Sequence, residues 1–136
     1  MTQRRMAAGY FFVQAAAIVG WWALLITVPS TRPYFTIRSA PFATLGAFAL
    51  GDLGLIALGS ALVAVCHGRS WAGRAAWCVS GALLYATCYT VAAVVGGVSS
   101  PLGACLMVPA SVASIMASTI LSRDALADSL SHGSSA

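Results

Sequence analysis

The stretch Phe42–His67 reads FATLGAFALGDLGLIALGSALVAVCH and carries one acid, Asp52, deep inside it. About 20 mostly apolar residues rising 1.5 Å each cover a hydrocarbon core of roughly 30 Å, so this stretch reads as a membrane-spanning helix. A helix starting near Phe42 puts Asp52 about 15 Å in, close to the middle of such a core. A carboxylate at that depth is costly, so it is expected to face the protein interior and to have a partner.

Composition supports lipid as the main solvent. The chain is 60% hydrophobic and 7% charged, against about a quarter charged in soluble domains. Too few charged residues remain to coat a soluble surface. The basic residues are all arginines, spread between apolar segments, which speaks for topology rather than for a nucleic-acid face.

Three further apolar segments accompany the first. Gly9–Val28 is too long for a signal-peptide core, and its end, Pro29-Ser30-Thr31-Arg32, has no small-residue cleavage site. It is expected to be a retained helix. Ala75–Val95 and Ala104–Leu121 follow. The expectation is an all-α, polytopic membrane protein: a single domain, a four-helix bundle spanning at about 9–28, 42–67, 75–95 and 104–121, with a Ser-rich tail over 122–136. Pro109 falls near the start of the last segment, where it either kinks the helix or sits in its first turn.

The arginines orient the bundle. Arg4, Arg5, Arg69, Arg74 and Arg123 fall on one side, Arg32 and Arg38 on the other. The positive-inside trend then puts both termini in the cytoplasm of a bacterial-type inner (plasma) membrane. Trp71 suits the boundary on the arginine-rich side, and Trp21, Trp22, Tyr34 and Phe35 the opposite boundary. Those four aromatics with Arg32 and Arg38 form either an interfacial belt or a wall for a lipid or isoprenoid.

Within the spans, small residues mark packing faces. Gly51 and Gly59 belong to a thin second helix, and Ser111, Ser114 and Ser118 recur at three- and four-residue spacing on the fourth. Gly59, seven residues from Asp52, is expected on the same face. Tyr85 matches Asp52 in depth, and Tyr85 or Tyr89, on one stripe of the third helix, is its expected partner in a buried polar site, with Gln14 bonding across helices. An outer arginine reaching Asp52 is the alternative.

Catalytic and metal chemistry find little support. Cys66, Cys78, Cys88 and Cys105 form no C-x-x-C pair, and His67 and His132 lie at a helix end and in the tail. No cofactor or metal is expected. The expected activity is non-catalytic: an accessory subunit of a membrane complex or a self-associating bundle, whose partners are membrane lipids and other membrane subunits or itself. An ion- or proton-coupled carrier using Asp52, and a lipid- or isoprenoid-binding protein, are the alternatives.

One pattern is familiar. Trp21-Trp22, Leu24, Pro29, Arg32 and Phe35, then Phe48, Asp52 and Gly59-Ser60, resemble the four-helix membrane segment ahead of bacterial isoprenylcysteine carboxyl methyltransferase-like domains. The resemblance covers roughly Gly20–Ala64. The Arg-His-Pro catalytic signature of those enzymes is absent, so the resemblance implies an isoprenoid- or lipid-facing surface without methyl transfer.

Overall fold

The computed structural model describes residues 2–35 and 42–133, with side chains over 3–34 and 45–123. Every element is helical, with no strand among the described residues. Helix α1 (Thr2–Thr27) leads through a 3-10 turn, Pro29–Thr31, into the short α2 (Arg32–Phe35). A continuous helix follows in three parts: α3 (Phe42–Leu50), a π-helical segment (Gly51–Ala57) and α4 (Leu58–Val65). Then come α5 (Ala72–Val95) and α6 (Pro101–Gly133). Four of these helices are long and apolar enough to cross a membrane, at Gln3–Thr27, Leu45–Val65, Ala72–Val95 and Pro101–Arg123. The chain is an all-α four-helix bundle of the membrane type.

The helices overrun their apolar cores. α1 begins at Thr2 rather than Gly9, because Arg4 and Arg5 continue the helix beyond its apolar part. α6 begins at Pro101 and continues to Gly133, so residues 122–133 extend the last span instead of forming a separate tail. Pro109 lies inside α6, not in its first turn. An interior proline removes one helical hydrogen bond, which neighbouring helices make tolerable in membrane bundles.

The turns have local causes. Pro29 opens its 3-10 turn, where a missing N–H leaves nothing unsatisfied. Arg32 Nε donates to the Leu25 carbonyl at 2.9 Å, closing the end of α1. After α5, Gly97 takes a positive φ of 71°. Val98 N–H then reaches back to the Ala93 carbonyl at 3.0 Å and Gly97 N–H to Val94 at 3.0 Å. This glycine-terminated end needs a backbone that side chains disfavour.

The spans stand in a ring in chain order. α1 packs on α4, the π segment and α6, and α5 packs on α6, α4 and the π segment. Arg4, Arg5, Arg69, Arg74 and Arg123 share one end, called the basic end below. There Arg4 Nε donates to the His67 carbonyl at 2.9 Å, tying α1 to the α4–α5 turn. The tightest core lies in the same half: Phe11, Val63, Ala76 and Leu121 are sealed, with Ala7, Val79, Leu83 and Ala117 around them.

The opposite half is less closed. Trp22 and Leu25 of α1 and Thr87 and Ala93 of α5 are buried, but none of residues 45–55 is. Over residues 45–55 the second span therefore lies against the described residues only loosely. One aromatic contact, Phe48 with Tyr89 at 5.2 Å between ring centroids, connects it to α5.

Candidate functional site: an intramembrane polar seam

Asp52 sits in the seven-residue π segment, with Gly51 and Gly54 on either side. Glycine holds the ordinary helix weakly. π turns are wider than α turns, and they gather at functional positions. The wider turn also changes which residues share a face. Across this segment the face repeats at eight residues rather than seven, so Ser60, not Gly59, lies in line with Asp52.

Both side chains turn towards α1. Trp22 Nε1 donates to Asp52 Oδ2 at 3.0 Å. Gln14 Nε2 donates to Ser60 Oγ at 2.9 Å. Gln14 and Trp22 are also eight residues apart, about 12 Å of helix, so the two bonds are successive rungs between antiparallel helices. Ile56 and Ala57 are buried between the rungs, and no polar side chain of the second span stands there. Gln14 is buried, and its Oε1 has no hydrogen-bond partner. The ladder fixes register between α1 and the second span.

The expected Asp52–tyrosine pair is therefore corrected. Tyr85 is 76% exposed, and Tyr89 is exposed and stacks on Phe48. The carboxylate, carried on the π segment, meets Trp22 of α1 instead. Arg32 serves the Leu25 carbonyl at the end of α1.

The expected aromatic belt or wall is corrected at Trp22. Trp22 is only 8% exposed and points inward to Asp52. Trp21 is half-buried and Tyr34 exposed. The Phe35 side chain and Arg38 lie outside the described residues. Trp71 is exposed at the basic end.

A second polar cluster closes α5 on α6. Ser80 Oγ meets Ser114 Oγ at 2.6 Å and Ser118 Oγ at 2.8 Å. Thr87 Oγ1 donates to the Leu83 carbonyl at 2.8 Å and meets Ser111 Oγ at 2.7 Å. The serine face of α6 is thus absorbed inside the bundle. Ser80 and Thr87 were the unanticipated half of this cluster; their seven-residue spacing opposite a serine stripe was the available signal. Gly59 meets α5 instead: an added Cβ would stand 2.7 Å from Val79 Cγ2. Gly51, by contrast, has open space around it.

Among the described residues no three His, Cys, Asp or Glu side chains are placed to hold a metal. Cys78, Cys88 and Cys105 are exposed and Cys66 is half-buried. No protein-family model, curated protein or solved structure matches the chain.

Proposed function

We propose that this protein is a non-catalytic membrane bundle that associates with a further membrane helix along α3 and the adjoining π segment. The observation that supports this reading is the mismatch between that stretch and the rest of the chain. None of residues 45–55 is buried, and Gly46, Ala47, Ala49, Gly51 and Gly54 add little bulk to it. Added Cβ atoms at Gly46, Gly51 and Gly54 meet nothing within 4 Å. In lipid, helices associate through close van der Waals approach, and small residues permit it. The serine face of α6, the other small-residue face, is already used inside the bundle. The occupant is a helix of a second copy or of a larger membrane subunit, and the basic end faces the cytoplasm.

Gentle extraction from native membranes, followed by mass spectrometry of what migrates with the chain, tests this. A stoichiometric membrane partner or a homo-oligomer is the expected result. A stable monomer with nothing bound overturns it.

A second reading draws on the π segment. Asp52 stands in a wide, irregular turn of a membrane span, a setting suited to a proton- or cation-binding carboxylate. In proteoliposomes Asp52→Asn would then abolish coupled flux. Equal flux in parent and variant, or none in the parent, excludes this reading.

A further inference from the structure

A groove of about 700 Å³ runs along the outside of the bundle between α5 and α6. Its α5 wall runs from Leu84 to Val95, and its α6 wall carries Val108, Val112 and Ile115. Eleven residues of rise make it about 16 Å long, half of a hydrocarbon core roughly 30 Å thick. It begins near mid-span and ends at Gly96, at the turn opposite the basic end. Its length and placement match one leaflet.

The lining is almost wholly apolar and offers a polar ligand no hydroxyl proton. Thr87 gives its proton to the Leu83 carbonyl, so the Ser111 hydroxyl donates to Thr87 Oγ1. Neither hydroxyl proton is left for an occupant. The volume lies within the roughly 300–1,000 Å³ of small-molecule sites. Its rims differ from the α3 face. Val91, Val95, Val108 and Val112 are β-branched and exposed, and they hold another helix backbone at a distance. A flexible hydrocarbon chain fits such a trough better than a second helix.

We infer that the α5–α6 groove holds one acyl chain of a phospholipid from the leaflet opposite the basic end. The chain lies with its methyl end near Leu84 and its glycerol end at the Gly96–Gly97 turn. This site is separate from the α3 face and from the Asp52 seam.

The test uses the full chain in phosphatidylglycerol nanodiscs doped with phosphatidylglycerol bearing a mid-chain diazirine. After photolysis, adducts should concentrate on Leu84–Val95 and Val108–Ile115, several-fold above the exposed Val19 and Leu24 of α1, which lie in the same half of the bundle. Ala92→Phe, which fills the trough, should cut those adducts roughly fourfold, the scale of one methylene's apolar contact. Leu62→Phe should leave them unchanged. Adducts spread evenly over all exposed apolar positions overturn the inference. So does an efficient Cys88–Cys88 disulfide between chains, which assigns the groove to a second copy. Displacement of the adducts by substoichiometric long-chain polyisoprenol also overturns it, in favour of an isoprenoid.

Discussion

The Trp22 indole N–H lies 3.0 Å from Asp52 Oδ2, joining the first and second spans inside the apolar layer. The donor comes from the helix that the π segment turns the carboxylate towards. Indole N–H is a donor only, and the carboxylate accepts, so the pair has a defined direction.

Trp22→Phe removes the donor and leaves the volume of one ring of the indole unfilled. It is expected to lower thermal or denaturant stability in detergent by about 1–3 kcal/mol, from lost packing and from a half-buried carboxylate left without its donor. Asp52→Asn keeps an acceptor for Trp22 and should cost less. Trp22→Phe and Asp52→Ala combined should cost less than the sum of each alone, because each removes the same bond. Additive effects in the double-mutant cycle would separate the residues.

Ser80 bonds to two serines of α6, so Ser80→Ala should weaken the α5–α6 pair more than Ser114→Ala or Ser118→Ala. Interhelical hydrogen bonds in membranes average about 0.6 kcal/mol and reach about 1.7. Ser80→Ala is expected towards the upper figure and the single partners near the lower one. Equal losses at the three positions would contradict the branched arrangement.

Gly59 and Gly73 are both close contacts, but of different kinds. An added Cβ at Gly59 meets the stiff Val79 side chain, and at Gly73 it meets Ser122 Cα at 3.0 Å. Gly59→Ala should destabilise by about 1–3 kcal/mol through overpacking, less a helix-propensity gain of about 1 kcal/mol. Val79→Ala should rescue Gly59→Ala in unfolding measurements. Gly73→Ala faces backbone, and no side-chain truncation in α6 should rescue it.

Arg4→Ala removes the bond from Nε to the His67 carbonyl. Faster hydrogen exchange at the Cys66–Arg69 turn is the expected readout, with the α5–α6 cluster unaffected. Unchanged exchange at the turn would show that its own backbone bonds hold it.

The fold was legible because lipid imposes a simple rule. Four apolar stretches near 20 residues long, with arginines in the gaps, admit few architectures. Helix ends were less legible, since apolarity marks the membrane while backbone bonding continues past it; Thr2–Ala8 and Ser122–Gly133 are helical for that reason. Asp52, Gln14 and the serine stripe were recognisable as interior groups by cost alone. Their partners were not, because partner choice depends on rotation about the helix axis. One π segment shifts that rotation, and Gly51 and Gly54 were its only sequence trace. Asp52 thus met Trp22 instead of a tyrosine, and Gly59 met Val79 on a different face.

The association face is tested most directly by Gly46→Leu. Gly46 is exposed with nothing within 4 Å of an added Cβ, and leucine favours helix over glycine by about 0.8 kcal/mol, so the bundle itself should fold unchanged. Light-scattering mass in mild detergent, measured on material extracted from native membranes, is the readout. The parent should run as a complex larger than its own 13.9 kDa, and Gly46→Leu as a folded monomer of that mass. A monomeric parent, or a variant complex of unchanged mass and stability, would contradict this.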